Sequence, residues 1–420
     1  MSGHHLKRDI GPLGTSFLAL NGMVGAGIFI LPATLSTQFG DFSPWLFPIF
    51  GLLFMAIVLP FARLASLFST SGGPVAYVEP FGRIASFQVG WLYYIARITA
   101  LAANANVFAA YAAALWPPLG SQVGRGASIL MLIGLMAWVN LVGVRRAVRA
   151  LDLITLLKLF PLLALTIWAF AEAGLPPPGD LPKFGQLESA ALITLYALIG
   201  FENCLVPAGE TRDPKRTIPR AMVATVVLTA LLYFVIQLAY VAVMPPGATP
   251  AAPLGAMADV LFGPVGMIIL SITAMISVGG NLLGSITATP RLTYAMAERG
   301  LLPKWFGRVH PVWATPWNSI LFMAMVSAAL ALSGSFIWLA LVSTLSRMFV
   351  YAASLAALPG AGRNAGAPIG GAMKLAVAAG LALCLWVAVQ SELRSWALLA
   401  LLVAVGVLLY AVAARGWAKS

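Results

Sequence analysis

Apolar residues run along this chain in blocks of about 20, the length that carries a helix across a bilayer. Short polar, Pro- or Gly-bearing stretches separate the blocks. The pattern predicts twelve spans: 13–36, 45–68, 84–116, 125–142, 147–170, 188–208, 219–243, 265–296, 317–333, 336–358, 371–389 and 395–414. The third and eighth exceed the bilayer thickness and are expected to tilt. The first and sixth carry glycines near mid-membrane. The third and eighth each follow a Phe-Gly step, Phe81-Gly82 and Phe262-Gly263. In each pair one span starts on the opposite side from its mate, so the two halves would be inverted. Paired interrupted helices in inverted halves point to a transporter's binding site.

Composition agrees. Hydrophobic residues make up 60% of the 420 and charged residues 9%, with a mean hydropathy of +0.93. Soluble domains carry roughly 25% charged residues, so lipid is the expected solvent. The net charge of +12 would suit a nucleic-acid binder, but its placement argues for topology. With the N-terminus inside, 19 of the 25 Lys and Arg fall on cytoplasmic tails, loops and helix ends, against 3 outside (Arg125, Lys183, Arg394). Positive charge marks the cytoplasmic side, so both termini are expected there. The other 3 cations, Arg97, Lys158 and Arg347, fall inside spans. Cys204 and Cys384 lie in apolar runs and predict no disulfide framework. The short polar N-terminus does not read as a cleaved leader. A plasma membrane, bacterial and inner, is the expected location.

The first span reads Asn21-Gly22-Met23-Val24-Gly25-Ala26-Gly27-Ile28-Phe29. Glycine costs a helix about 1 kcal/mol relative to alanine, and unwound backbone is tolerated at this depth where it lines a cavity or is buried in protein. The half-helix beyond the break would offer free N–H groups and a positive dipole end to a carboxylate. Close helix packing through small residues is the competing reading. The sixth span reads Tyr196-Ala197-Leu198-Ile199-Gly200-Phe201-Glu202-Asn203. Carbonyls freed at Gly200 would accept from an ammonium group, and Phe201 would close over a bound solute or simply pack. A mid-membrane carboxylate such as Glu202 is by default a functional-site hypothesis. A structural hydrogen bond is its alternative.

Lys158 lies too deep to snorkel easily. A buried ammonium must find carbonyl or acid partners or give up its proton, which makes Lys158 a candidate proton carrier, a stand-in for a sodium ion, or a tether to the first span. Arg97 is expected to pair with Glu202 or face the aqueous path. Arg347 is read as structural. Asn104 and Asn106 face the bundle interior or bond between helices. The sequence carries no metal spacing, phosphate loop, cofactor signature or catalytic triad, so no enzyme, cofactor or metal is expected.

At these residues the chain resembles the amino acid–polyamine–organocation (APC) superfamily of secondary transporters. Four stretches carry the resemblance: GMVGAGIF, SGGPVAYVEPFGR followed by GW, GFENCLVPAGETRDPKRTIPRA, and RLTYAMAERGLLPKWFGRVHP. Order and spacing match over roughly residues 12–320. The resemblance implies an all-α membrane protein with a leucine-transporter-like, five-plus-five inverted repeat. On that frame a tail, 1–12, precedes repeats at 13–170 and 188–358, then two peripheral helices in 371–414 and a tail at 415–420. Substrate carboxylate would meet Val24, Gly25, Ala26 and Gly27, with Ile28 beside them. The amine would meet carbonyls at Met23, Leu198, Ile199 and Gly200, with Phe201 as an aromatic gate and Glu202 next to it. Lys158 falls where sodium-independent members carry a lysine, near carbonyls of Asn21 and Gly22 and near Ser277 and Gly280. Gly209 stands where many members have an acid.

The implied function is proton-coupled secondary transport of amino acids by alternating access, with the lipid bilayer and protons as partners. Lys158 and Glu202 are the proton-coupling candidates. A wall of Ala26, Ile28, Leu198, Phe201 and Ala103 favours neutral L-amino acids. An exchanger or exporter of amino acids or polyamines, and a non-coupled sensor or channel, are the alternatives.

Overall fold

The structure, a computed structural model, describes residues 11–68, 73–142, 147–205 and 211–417. Residues 1–10 of the expected tail, the last three of the other, and Gly209 lie outside the described residues. Helices α1 (Pro12–Met23) and α2 (Gly27–Phe39) share the first span, and α3 (Leu46–Leu67) is the second. A single turn, α4 (Pro74–Tyr77), leads into the long α5 (Arg83–Leu115). Then come α6 (Gln122–Val142), α7 (Ala147–Ala173) and α8 (Phe184–Leu198), the last followed by a 3-10 helix, Phe201–Leu205. The chain continues through α9 (Pro214–Val243), α10 (Pro253–Glu298), α11 (Trp317–Ser333), α12 (Phe336–Asn364), α13 (Gly371–Val389) and α14 (Leu393–Trp417). Elements lie within a few residues of the twelve predicted spans.

Two details sharpen the pattern. The Phe-Gly steps prove to be real breaks: Gly82 and Gly263 have φ of 99° and 65°, values that a side chain would resist. Gly263 kinks α10, separating the short Pro253–Phe262 segment from the spanning part.

The helix axes are built around α5, which packs against both α10 and α12, while α3 packs against α9. α13 lies on α3 and α12, and α14 on α12 and α5. Trp91 of α5 donates to the Leu402 carbonyl at 2.8 Å. A Cβ at Gly406 would stand 2.3 Å from that indole, so only glycine lets α14 seat here. Large apolar side chains face outward from many helices, among them Met131, Trp138, Phe160, Ile167 and Leu408, each at least 60% exposed. Monomeric soluble proteins do not display such surface on every side. It is an integral membrane fold whose outer solvent is lipid.

Candidate functional site

The interruptions in the first and sixth spans meet backbone to backbone. α1 ends at Met23, residues 24–26 are unwound, and α2 restarts at Gly27. α8 ends at Leu198 and the chain turns at Gly200, whose φ is +122°. A Cβ on Gly200 would lie 2.5 Å from the Gly22 carbonyl oxygen. A Cβ on Gly22 would lie 2.7 Å from the Gly200 carbonyl oxygen and 2.2 Å from Nδ2 of Asn203. Both glycines are therefore required for the contact.

A helix end leaves its last carbonyls unpaired, and at α1 side chains from three other helices take them. Asn281 Nδ2 of α10 donates to the carbonyls of Asn21 and Gly22 at 2.9 and 3.0 Å, and its Oδ1 accepts from Asn104 Nδ2 at 2.8 Å. Tyr233 Oη of α9 donates to the Met23 carbonyl at 2.9 Å. Lys158 Nζ of α7 donates to the Val24 carbonyl at 2.6 Å and to Asn21 Oδ1 at 2.8 Å, while Ser277 Oγ donates to the same Val24 carbonyl at 3.3 Å. Lys158 thus meets Val24 and the Asn21 side chain. The Asn21 and Gly22 carbonyls expected for it go to Asn281, one residue beyond the expected Gly280. The N-terminus of α2 is different: no side chain caps it, and with the Phe29 N–H donating to the Ala26 carbonyl at 3.1 Å the N–H groups of Gly27 and Ile28 stay available.

Gly27, the first residue of α2, borders a central cavity of about 40 Å³. Its wall includes Gly22, Met23, Gly25, Ala26, Gly27, Ile199 and Gly200 from the two breaks, with Tyr196, Asn203, Asn281, Arg97 and Arg347 around them. A second cavity of about 280 Å³ runs past Gly73, Tyr93, Glu202 and Leu292, and shares Arg97 with the first. A third, about 400 Å³, lies beside Ile30, Thr34 and Phe336. Tyr196 meets Phe336 edge-on with ring centroids 5.6 Å apart, between the central and third cavities. Arg97 and Asn203, 3.0 Å from Nη1 to Oδ1, stand between the central and second.

Several expected positions fall elsewhere. Phe201 is fully buried away from the cavity and packs edge-on against Phe54 and Phe61 at 5.5 and 5.7 Å, and tilted against Tyr351 at 5.6 Å. Because the chain enters a 3-10 turn after Gly200, Phe201 points into the bundle and Tyr196, one turn earlier on α8, supplies the cavity's aromatic wall. Val24, Ile28, Leu198 and Ala103 are buried off the cavity. Arg97 does not pair with Glu202. Its Nε donates to Thr289 Oγ1 at 2.9 Å and its Nη1 to Tyr93 Oη at 2.9 Å as well as to Asn203. Glu202 pairs instead with Arg347, Oε1 to Nε 3.1 Å, and its Oε2 accepts from the Gly200 N–H at 3.1 Å. The carboxylate lies in the wall of the second cavity, and it locks the break from behind. Arg347 also donates to the Ala96 carbonyl at 3.3 Å and to Ser343 Oγ. Asn106 serves the frame, donating to the Ala331 carbonyl at 3.2 Å and accepting from Arg125. Sequence reasoning missed Tyr196, Asn203 and Asn281 as wall residues. Polar Asn203 and Asn281 inside apolar spans were the signal that would have found them.

The family model "Amino acid permease" matches residues 10–358. An uncharacterised transporter of Mycobacterium bovis is 29% identical over 422 residues, covering 97% of this chain and 91% of that protein. The serine/threonine exchanger SteT of Bacillus subtilis is 26% identical, covering 78% of this chain and 77% of its own. The solved structure of MhsT in complex with L-phenylalanine superposes with a TM-score of 0.64 at 13% identity, covering 93% of this chain and 100% of that one, which shows the shared leucine-transporter-like fold. The chain belongs to the amino acid permease family of the APC superfamily.

Proposed function

We propose that this protein is a sodium-independent secondary transporter that moves amino acids across a bacterial inner membrane, both termini cytoplasmic, by alternating access coupled to protons. The observation that carries the reading is the pairing of the two breaks across one central cavity. The uncapped α2 N-terminus offers N–H groups to a carboxylate, and the turn at Ile199–Gly200 offers an amine the Ile199 carbonyl and the second lone pair of the Gly200 carbonyl, whose first is taken by the Asn203 N–H. The α1 carbonyls are already bonded, so the amine's acceptors come from the α8 side.

Lys158 supports the sodium-free reading. Its ammonium, 1% exposed, sits on a main-chain carbonyl and a side-chain amide oxygen, ligands of the hard-oxygen kind that a small cation takes. Protonation of Lys158, with Glu202, would bias the two-state equilibrium through its different affinity in the two states. On the expected topology the second cavity faces the cytoplasm and the third faces outside. The unit of α1, α2, α3, α8 and α9 would rock against the rest, opening the Tyr196–Phe336 contact or the Arg97–Asn203 contact in turn. The repeats at 13–170 and 188–358 supply the two halves of the site.

Exchange is the second reading, favoured by the similarity to an exchanger. Substrate chemistry was expected to be neutral, from an apolar wall, but Ile28, Leu198, Phe201 and Ala103 are off the cavity and two guanidiniums are on it. The test is reconstitution into sodium-free proteoliposomes with an inward proton gradient. Uphill accumulation of labelled amino acid is expected. Accumulation only with sodium would overturn the coupling. Equilibration without accumulation would point to a channel, and a requirement for preloaded counter-substrate to an exchanger.

A further inference from the structure

Among the described residues four charged side chains are buried: Arg97, Lys158, Arg347 and Glu202. The single carboxylate is committed to Arg347 and to the Gly200 N–H. Lys158 is held on α1, outside the cavity wall. Arg97 is left over. It is 4% exposed, and a guanidinium does not shed its proton in a protein. Its partners are two hydroxyls and an amide oxygen, with the Tyr93 ring 5.4 Å away. Among the described residues it meets no carboxylate. Its Nη2, with two N–H groups, donates to nothing there, and the same holds for Nη2 of Arg347.

Both arginines line the central cavity, and no Asp or Glu does. The α2 N-terminus adds partial positive charge at the break. A neutral amino acid would bring one carboxylate for those amides and an ammonium for the α8 carbonyls. It would leave Arg97 without a carboxylate partner of its own, since Glu202, across the second cavity, is paired with Arg347, and an unpaired buried charge is costly. An amino acid with a second carboxylate would supply the missing anion, and a carboxylate is the planar, two-oxygen acceptor that guanidinium N–H groups fit.

We infer that the substrate is an acidic amino acid of the aspartate or glutamate class, whose side-chain carboxylate is received by the free Nη2 of Arg97 with Arg347 beside it. The inference rests on the central cavity being the amino-acid site. An inorganic anion held at Arg97 beside a neutral substrate would share the same chemistry, and the experiment separates the two.

The experiment uses full-length protein in sodium-free proteoliposomes, preloaded with a mixture of amino acids, with chloride present or replaced by gluconate. Uptake of labelled L-glutamate and L-aspartate is compared with that of L-glutamine, L-asparagine, L-serine and L-leucine. In the unaltered protein the acidic member of each isosteric pair should be taken up about 10- to 100-fold better, the scale of one charge-assisted bond, with or without chloride. Arg97→Gln should erase that preference, and Arg97→Lys should restore part of it. Equal or better handling of glutamine and asparagine by the unaltered protein overturns the inference, as does neutral uptake that depends on chloride. If no amino acid of either kind moves or binds, the reading of the cavity as an amino-acid site falls with it.

Discussion

Gly22 and Gly200 hold the two broken helices in register: a Cβ on Gly200 would come within 2.5 Å of the Gly22 carbonyl oxygen. The wall residues contributed by the two breaks flank that contact. Gly200 also sits at φ +122°, outside the range of L side chains. Gly200→Ala should therefore cost about 2–4 kcal/mol from backbone strain plus overpacking, and abolish uptake. Thermal unfolding and proteoliposome uptake check it. Ordinary stability with full uptake would mean the breaks are not coupled.

The Arg347–Glu202 pair is buried on both sides, at 7% and 0% side-chain exposure. Breaking a buried pair from one side leaves an uncompensated charge and costs about 3–5 kcal/mol. Arg347→Gln should show that loss, and the double variant Arg347→Gln/Glu202→Gln should recover part of it. A double-mutant cycle measures the coupling. Strict additivity would show that Glu202 gains nothing from Arg347.

Lys158→Met removes the donor to Asn21 Oδ1 and the main donor to the Val24 carbonyl. Ser277 still donates to the Val24 carbonyl, so one buried acceptor, Asn21 Oδ1, is left unpaired, at a cost of about 1–3 kcal/mol. The variant should be less stable, and its uptake should no longer respond to the proton gradient. Retained gradient-dependent uptake would remove Lys158 from coupling and leave it a tether.

Tyr196 borders the central cavity and Phe201 does not. Tyr196→Ala should change the apparent KM for substrate at least about tenfold, the loss of a packed aromatic contact. Phe201→Leu, within the cluster of Phe54, Phe61 and Tyr351, should leave KM within about twofold and lower stability by about 1 kcal/mol. Concentration-dependent uptake separates the two, and a reversed order would restore Phe201 as the gate.

The spans were legible because lipid demands unbroken apolar length, and that length is written directly in the sequence. The breaks were legible because Gly22, Gly25 and Gly200 sit where an uninterrupted helix would avoid them. What the sequence withheld is direction. Residues 201–205 form a 3-10 turn rather than an α-helix, which rotates Phe201 toward α3 and Asn203 toward Gly22. The charge partnerships were hidden for a related reason. Arg97 and Arg347 both sit deep in their spans, and only the crossing of α5 and α12 decides which of them reaches Glu202. Asn281 lay one residue past an expected small-residue site, yet it is the side chain that takes two of the freed α1 carbonyls.

The central claim is that a substrate carboxylate rests on the uncapped N-terminus of α2. Equilibrium binding to the purified protein in sodium-free buffer tests it most directly, using amino acids alongside analogues whose α-carboxylate is blocked as the amide. At least one free amino acid should bind and raise thermal stability by mass action. Its amide should bind at least about tenfold more weakly, the scale of one lost charge-assisted bond. Equal binding of acid and amide, or no binding by any amino acid, would contradict the account.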